Sequence, residues 1–107
     1  MKIVYKEQVI FFLTQLIDTL LYREYFSYKE SAKGYVQDIR DSAEHSIDIS
    51  QHRKSPKRLI KYGSYFIKVT KNKRTSWYVF FDSKGTICRV NYITNNHTAK
   101  AAHLGVK

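Results

Sequence analysis

Trp77-Tyr78-Val79-Phe80-Phe81-Asp82-Ser83-Lys84-Gly85-Thr86-Ile87-Cys88-Arg89-Val90-Asn91-Tyr92-Ile93 is the stretch that decides the fold of this 107-residue chain. Two runs rich in aromatic and β-branched residues flank Asp82-Ser83-Lys84-Gly85, and Gly85 is free to adopt positive φ. The segment therefore predicts a β-hairpin with strands over 75–81 and 87–93, turning at Asp82-Ser83-Lys84-Gly85. Pairing through that turn sets Phe81 opposite Thr86, Val79 opposite Cys88 and Trp77 opposite Val90. Tyr78 then opposes Arg89 on the other side, beside Asn91 and Ser76. One side is apolar and needs a core. The other is left as a surface.

Upstream, Tyr65-Phe66-Ile67-Lys68-Val69-Thr70 predicts a further strand, and Lys71-Asn72-Lys73-Arg74 the reversal into the hairpin. Residues 48–63 form a connector in which Pro56 forbids a helix through its own position. With Arg53, Lys54, Lys57, Arg58 and Lys61 it is either a flexible linker or a loop that contacts nucleic acid. Before it the period changes from two to 3.6. Val9, Leu13, Leu16 and Leu20, widened by Ile10, Ile17 and Leu21, make one helical stripe. Ser27-Tyr28-Lys29-Glu30 matches a capping box, predicting Ser27 as the cap of a second helix. That helix carries Tyr28, Ala32, Tyr35, Val36, Ile39, Ala43 and Ile47 on one face, with Gly34 inside it. Ile3-Val4-Tyr5 opens the chain as a short strand.

The order is thus β-α-α-β-β-β. It predicts a single α+β domain over 1–107, an N-terminal strand and helical hairpin packed on one face of an antiparallel meander sheet. With 43% hydrophobic and 15% aromatic residues the chain has material for a core without staples. Its single cysteine, Cys88, cannot form an internal disulfide, falls on the core side in this register, and fits a reducing compartment. The apolar window 9–21 is interrupted by Thr14, Gln15, Asp18 and Thr19 and is too short to span a bilayer. No secretory pattern is visible at the start, so the expectation is a cytoplasmic protein without a membrane partner.

The net charge of +10 is unevenly placed. Residues 1–48 carry six Lys/Arg against eight Asp/Glu, whereas residues 49–107 carry thirteen Lys/Arg against Asp82 alone. A half-chain at +12 points to a polyanion, RNA above all, or else to a merely solvated basic surface. No His/Cys/Asp/Glu set has zinc spacing, and no Walker-type loop or GxGxxG occurs, so neither metal nor cofactor is expected. His45 and His52 sit among polar or cationic neighbours without catalytic company.

In this order of elements the chain resembles the RelE/ParE superfamily of toxins from type II toxin–antitoxin systems. The likeness covers nearly the whole chain as pattern rather than as a unique signature. It rests on the helical run closing at 22–26, the second helix to Ile47, residues 63–69, Trp77-Tyr78-Val79-Phe80-Phe81-Asp82, the turn at Gly85, and Val90-Asn91-Tyr92-Ile93 leading to Asn95-Asn96-His97. The resemblance implies a ribosome-dependent mRNA endoribonuclease that works without metal, with mRNA on the ribosome and a cognate antitoxin as partners. In such chemistry the 2′-OH loses a proton and attacks phosphorus, the leaving 5′-oxygen gains one, and cations meet the extra phosphate charge.

Carried over position by position, the resemblance assigns His97 as general acid or base, Arg74 and Arg89 as phosphate ligands, and Tyr78 as the residue that stacks on a base or orients the nucleophile. Lys68, Lys71 and Lys73 follow as cations of the meander. Lys54, Lys57 and Arg58 of the connector are further RNA contacts on charge alone. The chain departs from the family pattern at Thr75 and Ser76, where many members carry Arg, and at Ala102-His103, where Tyr is frequent. It also has Asn-Asn-His in place of Gly and a basic residue. Those departures leave open a ParE-like toxin that inhibits DNA gyrase by contact, or an inactive nucleic-acid-binding module of the same fold.

Overall fold

The computed structural model describes residues 2–23 and 26–97. Glu24 and Tyr25 of the 22–26 run, and Lys100, Ala102, His103 and Lys107, lie outside the described residues. Strand β1 (Lys2–Tyr5) is followed by helices α1 (Glu7–Tyr22) and α2 (Lys29–Asp48). A two-residue strand β2 (Arg53–Lys54) and a 3-10 helix (Lys57–Tyr62) come next. Strands β3 (Tyr65–Thr70), β4 (Ser76–Lys84) and β5 (Ile87–Asn95) complete the domain. The five strands form one mixed sheet in the order β1-β5-β4-β3-β2, with β1 parallel to β5 and the rest antiparallel.

The helical stripes behave as their spacing demands. Val9, Leu13, Leu16 and Leu20 of α1 and Ala32, Val36, Ile39, Ala43 and Ile47 of α2 are buried. They close over the first face of the sheet, against Ile67, Val69, Trp77, Val79, Phe81, Cys88, Val90 and Ile93. Trp77 is fixed by its indole N–H, which donates to the Tyr35 hydroxyl at 3.1 Å, and by the edge of Phe12. Burial and the nearby Asp82 charge push the Cys88 thiol up to about 11, so it stays protonated and inert.

The expected capping box does not form. The residue preceding α2 is Tyr28, its side chain makes no capping bond, and it stands exposed rather than on the apolar face. Its carbonyl instead accepts from the N–H groups of Ser31 and Ala32, which satisfies the first turn without Ser27.

The hairpin closes later than its turn signal suggests. β4 runs on through Asp82 and Ser83 to Lys84, which pairs with Ile87 across the two-residue loop Gly85-Thr86. Gly85 takes φ 63° at the first loop position, as a tight turn matched to strand twist requires. The predicted partners are therefore wrong. Phe81 faces Val90, Val79 faces Ile93, Trp77 faces Asn95 and Tyr78 faces Thr94, while Arg89 faces Asp82.

A bulge between Phe80 and Phe81 inserts Asn91 as an extra residue on β5. Strand parity reverses there, which turns Tyr92 away from the helices and Ile93 towards them. Gln8 of α1 donates to the Asn91 carbonyl at 3.1 Å, meeting a group that the bulge takes out of the ladder.

Nor is the second face of the sheet an open cationic cradle. The segment expected as a connector folds over it. In a 3-10 helix residues i and i+3 lie on one side. Leu59 and Tyr62 accordingly point together at the sheet, where Leu59, Phe66, Tyr78 and Phe80 form a second buried cluster edged by Tyr62 and Tyr92. Phe66 lies 5.7 Å from Phe80 and 6.1 Å from Tyr78, and Tyr62 stacks on Tyr92 at 4.4 Å. The connector is anchored by Ser55 N–H to Ser64 O and by the β2–β3 pairing of Arg53 with Phe66. Five aromatic rings on one strand-facing surface explain why it is buried: leaving them in water is unfavourable by several kcal/mol, at about 25 cal/mol per Å².

Candidate nucleic-acid interface

Tyr78 is 1% exposed, inside the second cluster, and cannot stack on a base from there. Burial raises its phenol above the ordinary tyrosine value, and the neighbouring Arg53 offsets this only in part. A phenolate base near neutral pH is thereby disfavoured. Tyr78 is therefore a core residue and not a catalytic one.

Arg89 is exposed on β5, but it serves a different group. Its Nε donates to Asn91 Oδ1 at 3.1 Å, and Asn91 Nδ2 donates to Asp82 Oδ2 at 2.6 Å. The other Asp82 oxygen accepts the Ser64 N–H at 2.9 Å. Burial alone would raise the Asp82 carboxyl, but the bonds from Ser64 and Asn91 and the Arg89 charge outweigh it, leaving it below the ordinary carboxylate value. Arg89 lies six residues before Asn95, the last residue of β5, roughly 20 Å at the usual strand rise, and His97 stands beyond that end. It does not share a site with His97.

The chain segments carrying Arg74 and His97 do come together. Both stand at the far end of the β4–β5 ladder, beside the β3–β4 reversal. Asn96 bridges across the end of the sheet: its Oδ1 accepts the Ser76 N–H at 3.0 Å and its Nδ2 donates to the Arg74 carbonyl at 2.9 Å. The His97 N–H is held by Asn95 Oδ1 at 2.9 Å, and its Nε2 is 3.4 Å from Thr75 Oγ1. Asn72 Oδ1 accepts from both Arg74 N–H and Thr75 N–H, fixing the reversal as an Asx-type turn. Arg74, Lys73 and His97 are exposed at this end. Lys71 is otherwise engaged, with its ammonium 3.5 Å from Asp38 and 4.7 Å from the Tyr35 ring, so it braces the hairpin against α2 rather than facing a ligand.

The remaining predicted cations lie along the second face and its cover. Lys68 is exposed on β3, directly across from Tyr78. Lys54, Lys57 and Arg58 are exposed on β2 and the 3-10 helix, with Arg53 and Lys61 beside them. Because Leu59 and Tyr62 use the inner side of the 3-10 helix, Arg58 and Lys61 share another side, also three residues apart. The result is a basic rim around an aromatic plug, continued by Lys68 towards Lys73 and Arg74.

Sequence reasoning missed Tyr62 as part of the cover, Asn91 as the link between Arg89 and Asp82, and Asn96 as the bridge to Arg74. The 3-10 spacing of Leu59 and Tyr62 was the available signal for the cover; no local signal marks the bulge at Asn91. Among the described residues no three His, Cys, Asp or Glu side chains gather to hold a metal ion, and no helix is long and apolar enough to cross a membrane. A groove of about 250 Å³ opens between α1 and α2, lined by Ile10, Leu13, Ile17, Val36, Lys33 and Arg40. It is on the helix side, away from the basic rim. Comparison of the chain with family models, with curated proteins and with solved structures finds no match.

Proposed function

We propose that this chain binds RNA through the basic rim and the Lys73–Arg74–His97 end, and that it acts as a RelE-like toxin, a metal-independent endoribonuclease restrained by an antitoxin. The RelE/ParE-like fold is part of the same proposal. The observation that carries the binding reading is the pairing of Asp82. It is the one acidic side chain in 49–107, against thirteen Lys/Arg, and Ser64, Asn91 and Arg89 already engage it, so the positive charge of that half is left largely unbalanced by carboxylate side chains of its own. Exposed like charges at this density repel one another and favour a polyanion.

Cleavage rests on a narrower base. His97 supplies a proton acceptor or donor, and Arg74 and Lys73 supply charge for the phosphate, all at one end of the sheet. A ParE-like inhibitor that works by contact alone is the second reading. The burial of Tyr78 and the separation of Arg89 from His97 favour it, since they disperse the catalytic set that the resemblance implies.

Measuring the affinity of the purified chain for a single-stranded RNA oligonucleotide across a salt series tests the first reading. Each neutralised phosphate contributes about 0.7 to the log–log slope, so replacing Lys73 and Arg74 by Ala should flatten it by about 1.4. Incubation with translating ribosomes should yield cuts within codons that His97→Ala abolishes. Absence of salt-dependent binding would end the RNA reading. Binding without cleavage, together with inhibition of gyrase supercoiling, would transfer the proposal to the second.

A further inference from the structure

Asn96 occupies a position that the catalytic chemistry does not use directly. It is the first residue past β5, exposed to solvent, yet it makes three bonds across the end of the sheet. Its own N–H donates to the Ser76 carbonyl at 3.1 Å, alongside the two side-chain bonds to the Ser76 N–H and the Arg74 carbonyl. The carboxamide thus behaves as an extra peptide group, extending the β4–β5 ladder after the backbone has turned away. The partners fix its orientation, because Ser76 N–H requires the oxygen and the Arg74 carbonyl requires the NH₂. Few side chains meet both demands. Asp keeps the acceptor but sets a charge against a carbonyl, and Ala keeps neither.

The consequence falls on two neighbours. Arg74 is held by its N–H through Asn72 and by its carbonyl through Asn96. His97 follows Asn96 directly, tied back by Asn95, with its ring beside Thr75. Without the Asn96 side chain, the segments carrying His97 and Arg74 keep the backbone pairing at Ser76 and the 3.4 Å contact of the His97 ring with Thr75, and nothing holds the Arg74 carbonyl to the end of β5. We infer that Asn96 is a positioning residue for the candidate site, setting the separation of Arg74 and His97 so that both meet the same phosphate. The effect on RNA rests on the binding reading above, whereas the local geometry stands without it.

Two measurements on the full chain separate these layers. The first is the NOE between the Thr75 methyl and the His97 ring, which the wild-type protein should show and Asn96→Ala should lose. The second is a double-mutant cycle of Arg74→Ala and His97→Ala on affinity for a fluorescein-labelled single-stranded RNA dodecamer. The two effects should be non-additive by roughly three-fold or more in the wild-type background and additive in Asn96→Ala.

A merely structural role would weaken binding only through unfolding and would leave the coupling intact, with amide protection at Val79 and Ile93 reduced. If Asn96→Ala frays the strands in this way, Asn96→Asp carries the same two comparisons, since it keeps the acceptor for Ser76 and loses the donor to Arg74. An NOE and a coupling that both survive in the folded variant overturn the proposal. Failure of the wild-type chain to bind the dodecamer removes the RNA reading, and the NOE still decides for or against Asn96.

Discussion

Replacing Tyr78 by Ala separates a core ring from a ligand-facing one. A buried aromatic removes about 200 Å² from water. At ~25 cal/mol per Å² that corresponds to ~5 kcal/mol, and a compact unfolded chain lowers it to between about 3 and 4.5 kcal/mol. Tyr78 is 1% exposed between Phe66, Phe80 and Leu59, so little of this is recovered by solvent, and truncation also leaves a cavity. The expected loss is therefore about 3–5 kcal/mol, a large fraction of the 5–15 kcal/mol typical of a whole domain. Urea unfolding followed by the fluorescence of Trp77, the chain's single Trp, reads it directly. Tyr78→Phe is the control: it keeps the ring and should shift stability by no more than about 1.5 kcal/mol, with RNA affinity unchanged. If Tyr78→Ala unfolds within about 1 kcal/mol of the wild type yet loses RNA binding, the ring faces the ligand and the two-sided core is wrong.

Two glycines should respond in opposite directions. A Cβ on Gly63 would stand 2.6 Å from the Phe81 nitrogen and 3.0 Å from the Phe80 carbonyl carbon, so Gly63→Ala must displace β4 backbone and should cost about 1–3 kcal/mol. Gly34, in α2 with nothing within 4 Å of an added Cβ, should gain up to about 1 kcal/mol as Ala. Thermal unfolding of the two variants checks both signs. Asp82 supplies a pH test. Its carboxyl is lowered in the folded state, so the stability it contributes is present above the ordinary carboxylate value near about 3.9 and is lost as pH falls through the lowered one. The stability difference between wild type and Asp82→Asn should shrink between about pH 6 and about pH 3. A difference that stays constant or widens on acidification would mean that the Ser64–Asn91–Arg89 network does not hold the charge.

Much of the first core was legible in advance because helical and strand periods are local properties. Val9, Leu13, Leu16 and Leu20 sit where 3.6-residue spacing puts them, and Trp77, Val79, Val90 and Cys88 lie on the helix side as alternation implied. The candidate site was legible only in part. Arg74 and His97 belong to segments that meet at one end of the sheet, but Arg89 left the set because its partners depended on pairing register, and Tyr78 because the 3-10 segment covers the side it faces. A displaced turn and an inserted residue at Asn91 changed every partner while leaving the composition of each strand untouched.

Sequence by itself determined the order of the two helices and the four longer strands, the amphipathic faces of the helices and the segregation of positive charge into residues 49–107, since each follows from neighbours a few positions apart. Tertiary structure decided which strand residues face each other, that the second side of the sheet is plugged by Leu59 and Tyr62, and that Asn96 ties Arg74 to the chain carrying His97. These depend on segments distant along the chain meeting in space. The free energy that selects them comes from burying aromatic rings and satisfying backbone groups together, which no window of sequence contains.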